Sequence, residues 1–181
     1  MRRLLWLLTF SPRPYSWFLT SLNHSSMSRQ VNRAYYEIVR DLRATGFIHR
    51  EQVFDAFLSV DRTLYSPENF SITEDSPLPI GHGQTISAAN IHAMATEALY
   101  PALTKPEASI LDVGCGSGFL TAVFARLNPT AKVYGIDCVP ELVSLSKKNM
   151  MKQVQLRSSF KVFCLYTTVL VRMETFFGRR G

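Results

Sequence analysis

Residues 110–119 of this chain read Ile-Leu-Asp-Val-Gly-Cys-Gly-Ser-Gly-Phe, an apolar segment that runs directly into three alternating glycines. Leu120, Val123, Phe124 and Leu127 follow at the i, i+3, i+4, i+7 spacing of one helix face. The pattern predicts a strand, a tight glycine turn and a helix. Glycine lets a ligand approach main-chain atoms closely, and the start of a helix offers unpaired N–H groups. Such a unit is typical of a nucleotide-like ligand site, with an ordinary tight turn as the alternative.

The class of ligand follows from the glycine spacing and from the next predicted strand. A dinucleotide fingerprint, Gly-x-Gly-x-x-Gly, requires glycine at the position of Phe119, whereas the last glycine here is Gly118. Residues 132–137, Lys-Val-Tyr-Gly-Ile-Asp, read as a strand that ends in a carboxylate, where an acidic group accepts hydrogen bonds from ribose hydroxyls. These observations favour an adenosine ligand without a pyrophosphate. With Asp112 ahead of the glycines and Asp137 closing the second strand, the unit resembles the cofactor half of class I S-adenosylmethionine-dependent methyltransferases, which have a Rossmann-like α/β fold.

The charge is distributed unevenly along the chain. The net charge of the whole chain is +6, but the basic excess lies in residues 1–36 and 147–181. Residues 37–146 hold 7 basic and 13 acidic groups, a net charge of −6. The basic excess is therefore weak evidence for nucleic-acid binding by the central domain.

The composition fits one globular domain with free thiols. The chain has 181 residues and a hydrophobic content of 46%, which suits a single core. The cysteines are odd in number and lack metal-ligand spacing, so they indicate reduced thiols of an intracellular protein. They are Cys115, Cys138 and Cys164.

Residues 1–30 are interpreted as a disordered or targeting-like extension outside the fold. They are rich in arginine and serine and contain no carboxylate, which is typical of a mitochondrial presequence. A weak secretory signal and an extension upstream of a start at Met27 are the alternatives. The apolar run at residues 4–10 is too short to span a bilayer. We expect a cytoplasmic protein, with a mitochondrial location as the alternative.

Two helices are predicted before the glycine turn, and we expect them to cover the cofactor domain. The first begins at residue 31 and ends before Gly46, and the second spans residues 50–60. Residues 61–86 are rich in Pro, Ser and Gly and read as loop. The predicted apolar faces are Val31, Tyr35, Ile38, Val39 and Leu42 in the first helix, and Val53, Phe54, Phe57 and Leu58 in the second.

A second informative stretch is residues 79–90, Pro-Ile-Gly-His-Gly-Gln-Thr-Ile-Ser-Ala-Ala-Asn. Apolar residues follow it at helical spacing, which puts Ser87 near a helix N-terminus. Residue preference alone favours Ser87 as an N-cap, because its oxygen can accept a hydrogen bond from an unpaired N–H. The apolar face predicted for that helix is Ile91, Ala95, Ala98 and Leu99.

Together, residues 31–149 resemble the N-terminal two-thirds of the protein-L-isoaspartate (D-aspartate) O-methyltransferase family. The glycine turn is shared by many methyltransferases, whereas Gln-Thr-Ile-Ser at residues 84–87 is much more restricted to this family. Val60-Asp61-Arg62, followed by Tyr65, also matches. The resemblance implies transfer of a methyl group from S-adenosylmethionine, without a metal, to isoaspartyl and D-aspartyl carboxylates in damaged proteins and peptides, which initiates their repair. We expect a monomer that binds neither nucleic acid nor membranes.

The resemblance also assigns roles to individual residues. Ser87 is implied to be the catalytic residue, and Asp137 to bind the ribose hydroxyls, with Cys138 beside the adenine. A substrate carboxylate with a pKa near 4 is already ionised at neutral pH, so no general base is expected. The other implied cofactor-binding residues are Gln84, Thr85, Ile86 and His92, and, around the methionine portion, Asp112, Gly114, Gly116 and Gly118.

The sequence departs from the family pattern after residue 149. The expected Gly-Asp-Gly is not present, and residues 150–181 form a divergent tail in which residues 160–171 have the composition of a strand. This strand is expected either at an edge of the sheet or as an out-of-place segment. An incomplete sheet leaves apolar helix faces exposed and predicts aggregation. A catalytically inactive truncated isoform and a methyltransferase for another substrate, such as RNA, are therefore alternatives.

Overall fold

The computed structural model describes residues 32–67, 74–152 and 160–164. Predictions for residues 1–31 and 165–181, and the side chain of Val31, lie outside the described residues. In chain order the elements are helices α1 (Arg33–Ala44) and α2 (Glu51–Ser59), a 3-10 helix (Arg62–Tyr65), strands β1 (Leu78–Gly81) and β2 (Gln84–Ile86), helix α3 (Ala89–Leu103), strand β3 (Ser109–Val113), helix α4 (Phe119–Leu127), strand β4 (Lys132–Asp137), helix α5 (Pro140–Lys152) and strand β5 (Phe160–Cys164).

Three parallel strands form the central sheet in the order β3-β4-β5. Val113 pairs with Ile136, so β3 and β4 end at the same edge of the sheet. The strand predicted for residues 160–171 is present over 160–164 and pairs in parallel with β4. Parallel strands joined through helices are the α/β arrangement that the glycine turn predicted.

Helices α1 and α2 cover the first helix after the glycine turn, as predicted. Their described apolar faces are buried, and aromatic rings carry the contact to α4. The rings of Tyr35 and Phe57 meet the ring of Phe119 edge-on, with centroid distances of 6.2 and 5.9 Å. Edge-to-face aromatic pairs add stability beyond the apolar area they bury. The core therefore joins the helical cover to the start of α4.

The interpretation of residues 61–86 as loop is wrong over part of this segment. The segment contains the 3-10 helix and an antiparallel hairpin of β1 and β2, in which Leu78 pairs with Ile86. His82, in the turn of the hairpin, has a φ of +54°, between two glycines that also have positive φ. The strands are four and three residues long, too short for the alternation of buried and exposed residues to be recognised in the sequence.

The predicted apolar face of α3 is also wrong. Ile91 and Leu99 are 53% and 49% exposed, and Ala98 is exposed as well. The side that faces the core is made mainly of small and polar residues, namely Ala89, Ala93, Thr96 and Glu97, together with Leu103.

Helix α4 is buried on more sides than predicted. Val123 and Phe124 are buried as expected, whereas Leu120 and Leu127 are only half-buried. The additional buried residues are Phe119, Thr121, Ala122 and Ala125. The helix lies between the sheet and the helical cover, so a single apolar stripe underestimates its burial.

Candidate functional site

The glycine turn between β3 and α4 has the conformation that only glycine adopts easily. Its three glycines have φ angles of +76°, +53° and +92° in chain order. The N–H groups of Gly114 and Cys115 both donate to the carbonyl of Ile136, at 2.8 and 3.0 Å. At Gly118, an added Cβ would lie 2.9 Å from the Cβ of Ser146 in α5. The turn is thus tied to β4 and packed closely against α5.

A cavity of about 230 Å³ lies between the glycine turn and the segment that leads from β2 into α3. Residues 85–87 form one wall and residues 112–117 form the opposite wall. The cavity brings together seven of the residues predicted from the sequence, namely Thr85, Ile86, Ser87, His92, Asp112, Gly114 and Gly116.

Four predicted residues are not part of the cavity lining: Gln84, Gly118, Asp137 and Cys138. The Asp137 carboxylate is buried and accepts hydrogen bonds from the N–H groups of Gly116 at 2.9 Å and Val139 at 3.0 Å. Each carboxylate oxygen can accept a further hydrogen bond, so these bonds do not use up its capacity. In this structure Asp137 holds the glycine turn against the end of β4, and its contact with ribose stays a prediction.

Ser87 does not cap α3. The residue at the N-cap position is Ala88, and the carboxylate of Asp75 accepts hydrogen bonds from the N–H groups of Ala89 at 2.5 Å and Asn90 at 3.1 Å. Ser87 is half-buried and lines the cavity. The interpretation of Ser87 as an N-cap is therefore wrong, because Asp75 has that role.

Asp112 places a carboxylate against the cavity. The Thr121 hydroxyl donates to its Oδ2 at 2.5 Å. Burial raises the pKa of Asp112, and the nearby Asp137 raises it further, while the bond from Thr121 acts in the opposite direction. A cationic group or an N–H donor in the cavity would stabilise the ionised form. This end of the cavity therefore suits a positively charged part of a ligand.

His92 is a neutral side chain in the cavity wall. Its ring lies 5.2 Å from the ring of Phe119. Burial, followed by the charge of Arg62, lowers the pKa of His92 to about 4. The Nδ1 atom of His92 and the Oγ atom of Ser117 are both buried without a hydrogen-bond partner in the described part of the chain. Since buried polar atoms are normally paired, two such atoms in one lining are consistent with a polar ligand.

Reasoning from the sequence missed the apolar part of the lining. Phe119 directly follows the last glycine, and its ring also lies 5.7 Å from that of Tyr65. Its place as an aromatic residue in the first helical turn after the glycines was the sequence signal that it lines the cavity. The other missed lining residues are Ile91, Ala95, Val113, Cys115, Ser117 and Leu120.

The described ranges contain no cluster of three or more His, Cys, Asp or Glu residues that could hold a metal ion. Within the same ranges, no helix has the length and apolar character needed to cross a membrane.

The family model described as protein-L-isoaspartate(D-aspartate) O-methyltransferase (PCMT) matches residues 33–165. A protein-L-isoaspartate O-methyltransferase from Triticum aestivum is 41% identical over 114 residues, which cover 62% of this chain and 49% of that protein. One from Aeropyrum pernix is 36% identical over 140 residues, which cover 76% of this chain and 52% of that protein. The chain spans about half the length of these curated relatives.

Among solved structures, similarity is found to a Plasmodium falciparum chain described as a protein-L-isoaspartate O-methyltransferase in complex with S-adenosyl-L-homocysteine. The TM-score is 0.64 and the sequence identity 32%, and the match covers 71% of this chain and 62% of that one. The similarity thus extends from the sequence to the fold.

Proposed function

This chain belongs to the protein-L-isoaspartate(D-aspartate) O-methyltransferase family, and we propose that it transfers a methyl group from S-adenosylmethionine to isoaspartyl and D-aspartyl carboxylates in damaged proteins. The observation that carries the proposal is that Ser87 and the glycine turn line the same cavity. The family match and the S-adenosyl-L-homocysteine in the Plasmodium falciparum structure support it.

The cavity has features that suit the sulfonium end of S-adenosylmethionine. At Gly114 an added Cβ would meet nothing within 4 Å, so the main chain there is open to a ligand. Asp112 would attract a cationic group, and the unpaired Ser117 Oγ can bind a polar one. No metal is needed for such a ligand, and the proposal includes none.

The reaction needs orientation and desolvation more than proton transfer. Bound S-adenosylmethionine supplies an electrophilic methyl group. The isoaspartyl carboxylate is ionised at neutral pH, and the Ser87 hydroxyl can donate to one of its oxygens and so orient the other. His92 is neutral, so it does not repel a cationic ligand. The apolar side chains of Phe119 and Leu120 displace water that would otherwise solvate the carboxylate.

Methyl transfer to matched peptides tests this proposal. The purified chain is incubated with methyl-labelled S-adenosylmethionine and either an isoaspartyl peptide or the same peptide with normal aspartate. We expect base-labile label in the isoaspartyl peptide only. Ser87→Ala should lower kcat/KM about 10- to 100-fold, because a donor that orients the nucleophile is lost.

The control is Ser144→Ala, which removes an exposed hydroxyl on α5 that bonds only to the carbonyl of Pro140 among the described contacts. It should leave kcat/KM unchanged. Equal labelling of both peptides, or label in RNA and not in peptide, would contradict the proposed substrate.

A catalytically inactive chain is the second candidate, because the cavity has an open apolar rim. Val113 and Ile91 both line the cavity, yet they are 69% and 53% exposed. A rim of this kind excludes water incompletely. On this alternative, S-adenosylhomocysteine raises the melting temperature of the chain, while neither peptide is labelled.

We further propose that the chain acts as a monomer in the cytoplasm on proteins and peptides, and not on nucleic acid or membranes. The net charge of −6 over residues 37–146 supports this choice of substrate. The arginine-rich, acid-free residues 1–36 support mitochondrial import as the alternative location. Imaging of the full chain with a C-terminal fluorescent tag distinguishes the two, and a mitochondrial signal that disappears on deletion of residues 1–30 would contradict a cytoplasmic location.

A further inference from the structure

Arg62 is a buried cation that the proposed chemistry leaves without a role. Its side chain is 1% exposed, and none of the ion pairs among the described residues includes it. Its Nε atom is buried without a hydrogen-bond partner in the same ranges. Burial lowers the pKa of Arg62, because the favourable charge of Asp75 does not make up for the desolvation of the guanidinium group. We therefore look for a role of Arg62 other than stabilising the fold.

The hydrogen bonds of Arg62 connect two separate segments of the main chain. Its Nη2 atom donates to the carbonyl of Ser87 at 2.8 Å and to the carbonyl of Ser76 at 3.1 Å. A bond from a charged donor is stronger than one between neutral groups. Arg62 therefore links the residue whose side chain lines the cavity to the segment that contains Asp75 and Ser76.

Asp75 holds the same junction from its other side. Its carboxylate accepts hydrogen bonds from the N–H groups of Ala89 and Asn90, in the first turn of α3. Asp75 is sequence neighbour to Ser76, which Arg62 binds, so the contacts form a closed set around residues 87–90. We name Arg62, Asp75 and Ser76 the Ser87 clamp.

The junction needs such support because it is not regular structure. Strand β2 ends at Ile86 and helix α3 begins at Ala89, so only Ser87 and Ala88 connect them. The carbonyl of Ser87 lies outside the ladder of the hairpin, and it accepts its hydrogen bond from Arg62. A bond to this carbonyl restrains the ψ angle of Ser87, and so restrains how this residue is presented in the cavity wall.

We propose that Arg62 and Asp75 are positioning residues for Ser87, and that they hold the junction between β2 and α3 so that Ser87 stays in the cavity wall. Arg62 binds the carbonyl of Ser87, and Asp75 binds the N–H groups of Ala89 and Asn90. The expected effect of this support on kcat rests on the proposed function. Its expected effect on the main chain of residues 84–92 does not.

Hydrogen exchange of the full chain tests the expected effect on the main chain. In Arg62→Met, which keeps an unbranched apolar stem, amides in peptides covering residues 84–92 should exchange about tenfold faster. Peptides from α1 should stay within about twofold of the wild type. The control is Arg126→Met, which removes a bond from Arg126 Nε to Ser59 Oγ between α4 and α2, and it should leave residues 84–92 unchanged.

Kinetics test the expected effect on kcat. We expect Arg62→Met to lower kcat for an isoaspartyl peptide about 10- to 100-fold, with the KM for S-adenosylmethionine within about twofold of wild type. Arg62→Lys should restore part of kcat, since an ammonium can still donate to one carbonyl. Arg126→Met should leave kcat unchanged. The double variant Arg62→Met with Asp75→Ala should be little worse than Arg62→Met, because both act on one junction.

Each result decides between positioning and simple packing. Unchanged exchange over residues 84–92 in Arg62→Met, or a uniform rise in all peptides, would overturn the clamp. If Arg62→Met does not fold, Asp75→Ala at an exposed position replaces it, and an unchanged kcat in that variant would overturn the proposal. If the wild-type chain transfers no methyl group, the proposed function fails, and the exchange experiment with Arg62→Lys still decides the clamp.

Discussion

At the scale of single residues, the protonation of the cavity wall depends on burial. The ring of His92 packs against that of Phe119, and burial together with the charge of Arg62 lowers the pKa of His92 to about 4 from a reference value of 6.5. At neutral pH the cavity wall therefore contains a neutral imidazole, and Asp112 lines the same cavity. This combination suits a cationic ligand and would be lost in acid.

The lowered pKa of His92 predicts a loss of stability in acid. Between pH 6.5 and 4 the unfolded chain binds a proton at this position and the folded chain does not, so stability falls as pH falls, by about 3 kcal/mol over the window. The full contribution is present above pH 6.5 and is lost as the pH falls through 4. Urea unfolding across this range measures it. His92→Gln should show a smaller pH dependence, and an equal dependence in both proteins would contradict the assignment.

The position of Ser87 shows what a sequence can predict about a site. Residue preference predicted an N-cap, whereas the resemblance to a family placed Ser87 in the cofactor site. The structure puts Ser87 in the cavity wall and gives the capping role to Asp75, which lies 14 residues from Ala89. No local pattern marks such a partner, because its position depends on how the hairpin folds back. The glycine turn was predictable because its conformational requirement is local.

At the scale of elements, α5 packs closely against the last glycine of the turn. Gly118→Ala should destabilise the fold by about 2 to 4 kcal/mol, from a φ of +92° and a contact of 2.9 Å with the Cβ of Ser146. Thermal unfolding measures the change. The control is Gly83→Ala, which has a φ of +69° and no atom within 4 Å of an added Cβ, so only the backbone cost applies. Equal losses in the two variants would contradict the close packing.

The orientation of α3 about its own axis is determined by Glu97, and not by the large apolar residues of the helix. The Glu97 carboxylate accepts hydrogen bonds from the N–H groups of His49 and Arg50, at 2.8 and 2.9 Å, and pairs with the Arg50 guanidinium. Burial alone would raise the pKa of Glu97, but these bonds and the charge of Arg50 lower it. The spacing of Ile91 and Leu99 predicted that α3 would turn these residues toward the core. Long-range bonds such as those of Glu97 leave no period in the sequence, so the true orientation of the helix about its axis could not be read from it.

Removal of Glu97 should therefore be costly. We expect Glu97→Ala to lower the free energy of unfolding by about 2 to 4 kcal/mol, since two main-chain donors at the start of α2 lose their acceptor. The matched control is Glu37→Ala, which breaks an exposed ion pair with Arg40 and should cost less than about 1 kcal/mol. Urea unfolding of both variants measures the difference, and similar small losses would contradict the role of Glu97.

At the scale of the whole molecule, the fold leaves an apolar surface on the outer side of α3. Ile91, Met94 and Leu99 are each about half exposed, and Val113 at the end of β3 is 69% exposed. The parallel pairing of β3 and β4 could be predicted from the sequence, since a helical period lies between these two strands. The exposure of this surface could not, because it depends on the rotation of α3.

This surface predicts aggregation that charge can prevent. Replacing both Met94 and Leu99 by Glu should raise the concentration at which the chain begins to scatter light, because a contiguous apolar patch is interrupted. The control is Met151→Glu, at a position that is 61% exposed on α5. Light scattering during slow concentration measures the onset. A later onset with Met151→Glu than with the double variant would place the aggregating surface elsewhere.

Calorimetric titration of the purified chain with S-adenosylmethionine tests whether the cavity binds the methyl donor. We expect saturable binding at one site per chain with a Kd below about 100 μM, and loss of binding in Gly116→Val, in which the larger side chain meets Ile80. A dinucleotide such as NAD should give no saturable heat, because the turn lacks the dinucleotide spacing. Absence of saturable heat with S-adenosylmethionine, from a chain whose circular dichroism shows it to be folded, would contradict the assignment of the cavity.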